Sequence, residues 1–196
     1  MSCVCKNLLS LTNQEVSTER VYSVMPDRTA TKIAPFPFQR ECADIIKKAS
    51  VSKQKTLIAI ASGFGHTAII NLALRELLET KNIRRVLIVC PRNVLLYQFH
   101  RSFSEDSLRT EKLRPSSLGS QGTKSKVQFD DAPILLSSLV AFRKLVKRFP
   151  SDSFDMIFFD ECQSLSLKDW ETAGKLESTL VGFTSIHPSL ISSSMR

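Results

Sequence analysis

Five short apolar runs, each followed by a break and most of them then by helical spacing, leave this 196-residue chain few ways to fold. The runs are residues 56–61, 85–90 ("RVLIVC"), 133–137, 154–159 ("FDMIFF") and 180–184. They are continuous rather than alternating, which marks strands covered on both faces of a parallel sheet. Around them, apolar residues recur every three to four positions. Phe38, Cys42, Ile45 and Ile46 share one side of a helix, and Ile69, Ile70, Ala73, Leu74, Leu77 and Leu78 give residues 67–80 a broad buried face. Leu95, Leu96, Phe99 and Phe103 line a third helix, with Asn93 placed to cap it. Further helices are expected over the basic stretch 139–149 and over 164–178, which holds the only tryptophan, Trp170. Strand and helix in this rhythm predict an α/β fold, a parallel sheet with helices on both faces. Such a sheet binds its ligand beyond the carboxyl ends of its strands.

The same pattern sets the domain organisation. Residues 1–34 read as a polar, flexible lead-in, 35–190 as one domain with a surface loop at 104–126, and 191–196 as a tail. Hydrophobic residues make up 42% of the chain, enough for a core of that size, and no apolar run is long enough to span a bilayer. The formal charge of +8 fits a polyanionic partner such as nucleic acid, and equally a basic protein without one. The five cysteines are odd in number and form no C-x-x-C pair. Cys90 and Cys162 stand at the ends of apolar runs, where a free thiol packs as a small hydrophobe, so a reducing compartment is expected. With no leader of signal-peptide length, the expectation is intracellular: nucleus, cytoplasm and organelle interior all fit.

Two of the strand ends carry chemistry. "IAIASGFGHT" runs an apolar strand into two glycines and a threonine. Glycines let backbone N–H groups turn toward phosphates, a helix starting there faces the anion with its positive end, and Thr67 offers a hydroxyl for magnesium. The pattern G-x-x-x-x-G-K-[ST] fails at Ile60 and at His66, so a tight strand-to-helix turn without a ligand is an equal reading. "MIFFDECQ" delivers two adjacent carboxylates. Asp160 would hold magnesium, mostly through water, and Glu161 would polarise an attacking water. The plain alternative is a pair of acids at a solvated strand end. A single parallel sheet would put the two places side by side.

Together these stretches resemble the first motor domain of superfamily 2 helicases, the type I/III restriction-enzyme and DEAD/DEAH-like group. "DECQ" is similar to the DEAD, DEAH or DECH box, and "IASGFGHT" to motif I, A/M-P-T-G-S-G-K-T. "PFQRECADII" resembles the upstream glutamine motif, "VLIVCPRNVLLYQF" motif Ia, and "VGFTSIHPS" motif III, S/T-A-T followed by proline. The resemblance implies a RecA-like, P-loop NTPase fold, with ATP and Mg2+ as cofactors. It implies nucleotide contacts from Gln39, which would read the adenine edge, and from Ser62, Gly63, Phe64, Gly65, His66 and Thr67. It implies magnesium held by Thr67 and Asp160, with Glu161 and Asp160 as catalytic residues. Pro91, Arg92, Ser137 and Ser138 would grip a DNA or RNA backbone. The order of the motifs speaks against an unrelated doubly wound protein such as a small kinase.

Three departures shape the expectation. His66 stands where the family has lysine, Ser185 and Ile186 replace the last two residues of S/T-A-T, and Gln163 ends the acidic box. The family's second motor lobe, with its arginine finger, is not among these residues. The expected function is therefore that of a degenerate, truncated helicase or translocase lobe, with weak nucleotide binding and impaired ATP hydrolysis. The alternative is a catalytically dead pseudo-helicase that binds nucleic acid or protein. A second motor lobe or a partner protein is an expected partner, and a membrane is not.

Overall fold

The computed structural model describes residues 2–3, 34–61, 63–105, 108, 110–112 and 133–185. In chain order the elements are β1 (Ser2–Cys3), α1 (Pro37–Ser52), β2 (Thr56–Ala59), α2 (His66–Glu79), β3 (Val86–Cys90), α3 (Asn93–Glu105), β4 (Thr110–Lys112), β5 (Ile134–Ser138), α4 (Leu139–Leu145), β6 (Met156–Phe159), α5 (Leu167–Ala173) and β7 (Thr179–Thr184). The strands form one sheet in the order β1-β2-β7-β6-β3-β5-β4, and every neighbouring pair is parallel. Ile88 stands opposite both Leu136 and Phe158, and Phe158 opposite Val181.

The continuous apolar runs have the reason expected of them. Successive side chains of a strand point to opposite faces, and both faces are covered. Met156 and Phe158 of β6 join Ile70, Leu74, Phe99 and Phe103 of α2 and α3 in one core layer. Ile157 and Phe159 join Phe142 of α4 and Leu165 in the other, with the Trp170 ring 5.1 Å from that of Phe159. β7 passes closely beneath this layer at Gly182, where a Cβ would stand 3.0 Å from Cys162 Sγ and 3.1 Å from the indole of Trp170. Cys90 and Cys162 are free and buried, and burial pushes both thiols up, that of Cys162 to about 12.

Where the elements differ from the sequence reading, local chemistry explains it. The helix expected over 164–178 is shorter: a 3-10 turn, Cys162–Ser164, precedes α5. Ser166 caps α5 by accepting from the Asp169 N–H, while Asp169 reaches back to the Ser166 N–H at 2.9 Å. The helix expected over 139–149 tightens after Leu145 into a 3-10 turn, Val146–Arg148, and Phe149 is extended ahead of Pro150. The loop expected at 104–126 is corrected at its start: Ser104 and Glu105 complete α3, and β4 pairs with β5 as an edge strand. The lead-in contributes Ser2 and Cys3 to the opposite edge, against β2. The rest of the lead-in, residues 113–132 and the tail at 191–196 lie outside the described residues. No described helix is long and apolar enough to cross a membrane.

The basic face of α4 is partly committed. Arg143 grips Asp169 of α5 through two parallel hydrogen bonds, 2.9 and 2.7 Å. That contact holds the Asp169 carboxyl down at about 2.

Candidate functional site

The sheet order decides what meets above its carboxyl edge. The chain runs from β2 outward to β3, then returns to place β6 and β7 between them. β2 and β6 are thus separated by β7 alone, about 10 Å at the usual strand spacing. A side chain leaning over the end of β7 can bridge that gap.

The turn after β2 is built around two glycines. Gly63 and Gly65 both take φ +88°, a left-handed conformation that side chains disfavour. A Cβ on Gly63 would meet nothing within 4 Å, whereas one on Gly65 would lie 2.9 Å from Gln39 Nε2. Gly65 caps α2, accepting from the Ile69 N–H at 3.0 Å, so the helix begins as the turn closes. Gln39 braces the turn against α1. Its Nε2 donates to the Phe64 carbonyl at 3.1 Å, and its Oε1 accepts from the Phe36 N–H at 3.0 Å. Phe64 packs edge-on against Phe38, with ring centroids 5.6 Å apart, yet remains substantially exposed. Thr67 is half-buried at the start of α2. Ser62 lies outside the described residues, as does Ile186.

The acidic pair follows β6. Asp160 is buried, and its N–H donates to the Val89 carbonyl at 3.0 Å, extending the ladder by one residue. Glu161 then takes φ +49°, rare for a residue with a side chain. Its carboxylate accepts hydrogen bonds from Gln163 Nε2 and, at 3.4 Å, from Ser185 Oγ. Ser185, a departure from the motif III pattern, thus reaches the acidic pair.

His66 joins the two halves across 94 residues of sequence. Its Nδ1 stands 3.1 Å from Asp160 Oδ1, and its ring lies over Phe183 of β7, centroids 5.2 Å apart. Burial opposes charge on the ring, but the hydrogen bond and charge of Asp160 and the charge of Glu161 outweigh it, raising the pKa above 6.5. His66 Nε2 is buried without a hydrogen-bond partner. One ligand atom from each of His66, Asp160 and Glu161 lies within 4.8 Å of the others. Some parts played here were not visible in the sequence. Phe183 supports the imidazole through space, and Gln39 acts as a brace; neither has a local sequence signal for that part.

The residues expected to grip nucleic acid divide. Pro91 and Arg92 link β3 to α3, and Arg92 is exposed. Ser138 has its hydroxyl engaged as the cap of α4, accepting from the Ala141 N–H at 3.2 Å. Ser137 is fully buried, and its hydroxyl donates to the Ser138 carbonyl at 3.0 Å. In this conformation its side chain is withdrawn from the surface.

The sheet, the glycine turn and the acidic pair agree with a match to the family described as type III restriction enzyme, res subunit, over residues 32–188. The chain belongs to that family. It accordingly corresponds to the N-terminal, RecA-like lobe of superfamily 2 helicase-like motor domains. Among solved structures it is similar to the Sulfolobus solfataricus SWI2/SNF2 ATPase core in complex with dsDNA, with a TM-score of 0.62 and 18% identity over 80% of this chain and 33% of that one. It is also similar to the UvsW helicase of bacteriophage T4, with a TM-score of 0.59 and 20% identity over 83% of this chain and 58% of that one. At these identities the likeness is one of fold, and this chain spans only part of either structure, 33% and 58% of their lengths. No curated protein matches it.

Proposed function

We propose that this lobe binds ATP with Mg2+ weakly, grips a nucleic-acid backbone, and hydrolyses ATP poorly. The contact that carries the reading is His66 Nδ1 to Asp160 Oδ1, 3.1 Å. It sets the glycine turn and the acidic pair at one place, and it also commits the residue that replaces lysine to a carboxylate rather than to a phosphate. The donors fit the cofactors. Gly63 leaves its side of the turn open, Thr67 offers a hydroxyl, and Asp160 and Glu161 offer the oxygen ligands that magnesium prefers. Bound magnesium would supply neutralising charge for the outer phosphates.

In this reading Gly63, Phe64 and Gly65 present backbone N–H groups to phosphate, with Ser62 alongside. Gln39 has one amide hydrogen and one lone pair left for the adenine edge. Glu161, steadied by Gln163 and Ser185, orients a water and takes its proton, and Thr67 and Asp160 are the magnesium ligands. His66 is too short to follow an outer phosphate as lysine does. Losing one charge-assisted contact costs about 1.5–3 kcal/mol in binding, and losing one transition-state stabiliser slows turnover by about 10²–10³.

Pro91 and Arg92, just past β3, and the backbone at Ser137 and Ser138, the last two residues of β5, suit a DNA or RNA backbone. The SWI2/SNF2 core captured with dsDNA supports that partner class. A second motor lobe or a partner protein would supply the facing wall of the nucleotide site. Among the described residues Cys42, Cys90 and Cys162 are free, buried thiols, which suits a reducing compartment. A second reading, a catalytically dead pseudo-helicase that only binds nucleic acid or protein, draws on the same His66–Asp160 contact.

The test measures binding of a fluorescent ATP analogue and nucleic-acid-stimulated phosphate release for the native chain and for His66→Lys. Weak binding that tightens by about 10-fold or more with lysine is expected. Hydrolysis by the native chain that lysine does not improve would contradict impaired catalysis. Binding by neither form would favour the pseudo-helicase.

A further inference from the structure

We propose that His66, Asp160 and Glu161 form a binding site for a divalent transition ion of the zinc or cobalt class, one that fills without nucleotide. The lysine of the usual motif is an ammonium with three donors and no lone pair, so it repels a cation and cannot ligate one. An imidazole offers a lone pair and suits zinc, cobalt and nickel, whereas magnesium keeps to oxygen and water. Replacing lysine by histidine therefore changes which metals the place accepts, a consequence separate from the loss of a phosphate contact.

The geometry is close to what such an ion needs. With bonds of about 2.0–2.1 Å, neighbouring ligand atoms around a tetrahedral ion stand about 3.3 Å apart. His66 Nδ1 and Asp160 Oδ1 are already 3.1 Å apart, and all three ligand atoms lie within 4.8 Å of one another. Glu161 supplies the third ligand after a small rotation. Gln163 and Ser185 hold its carboxylate as outer-sphere partners do. Phe183 fixes the ring from below.

The experiment titrates the metal-free full chain with Co2+ alone and follows its visible ligand-field absorption, with Zn2+ and Mg2+ as competitors. The expected result is one saturable Co2+ site that Zn2+ displaces and that Mg2+ at about hundred-fold excess leaves in place. His66→Lys, which restores the usual residue and is checked for folding by circular dichroism, is expected to weaken Co2+ by about 100-fold or more. Asp160→Asn is expected to weaken it by at least about 10-fold. Co2+ binding unchanged in His66→Lys, displacement by Mg2+ at equal concentration, or an absorption dominated by thiolate charge transfer would each overturn the site. Because no nucleotide is present, failure here leaves ATP binding untouched, and failure of ATP binding leaves this titration readable.

Discussion

At the scale of single residues, His66 is where the lobe departs most from a working phosphate loop. Its contact with Asp160 makes a prediction that needs no ligand. In a metal-free NMR titration the His66 ring titrates above 6.5, and Asp160→Asn lowers its midpoint. The sign follows from linkage: a pKa raised by folding adds stability that is complete below the unfolded value of about 6.5 and fades as pH rises through the folded value. A His66 midpoint unmoved by Asp160→Asn would mean that the two do not touch in solution. Gly65 gives a second prediction. Gly65→Ala must hold a side chain at φ +88° and 2.9 Å from Gln39 Nε2. It should destabilise the chain by about 1–2 kcal/mol from the backbone alone, read as a lowered denaturant midpoint, and Gly63→Ala should cost less because its side is open. The glycines, Asp160 and Glu161 were legible in the sequence because each follows an apolar strand at a fixed offset. The brace from Gln39, the ring of Phe183 and the hydroxyl of Ser185 were not, since each acts through space on a partner far along the chain.

Elements differ from the sequence pattern mainly at their ends and at the sheet's edges. The five central strands announce themselves by continuous apolar runs, as "RVLIVC" does. β1 and β4 do not, because two or three polar residues such as "TEK" have no periodicity to read, and only the neighbouring strand's free edge selects them. Helix ends moved where a cap overruled the apolar spacing, as Ser166 and Asp169 do at the start of α5. That cap carries a pH prediction. Asp169 is held at about 2 first by its hydrogen bonds to Arg143, and also by those from Ser166. A depressed carboxyl stabilises above its unfolded value and loses that contribution as pH falls through the folded one, so the loss runs from near 3.8 down to about 2. Asp169→Ala should flatten this acid limb in pH-dependent unfolding, and should also cost about 0.5–2 kcal/mol at neutral pH through the lost cap. An acid limb identical to that of the native chain would show that the Arg143–Asp169 pair is not formed.

For the whole molecule, strand order is what turns two distant motifs into one site. The sequence predicts a parallel sheet but not that β6 and β7 return between β2 and β3, because order is set by which faces pack and not by spacing. Phe158 stands at the centre of that arrangement, fully buried between its neighbours on β3 and β7. Phe158→Ala is expected to cost about 3–5 kcal/mol and, by loosening the strand that carries Asp160, to weaken nucleotide and metal together. The central claim, that the glycine turn and the acidic pair frame a single phosphate-and-metal cavity, is tested most directly by paramagnetic broadening of backbone amides on addition of Mn2+–ATP. Amides of residues 63–67 and 160–163 should broaden in parallel at the same metal concentration. Broadening confined to one of the two stretches, or absent from both, would contradict it.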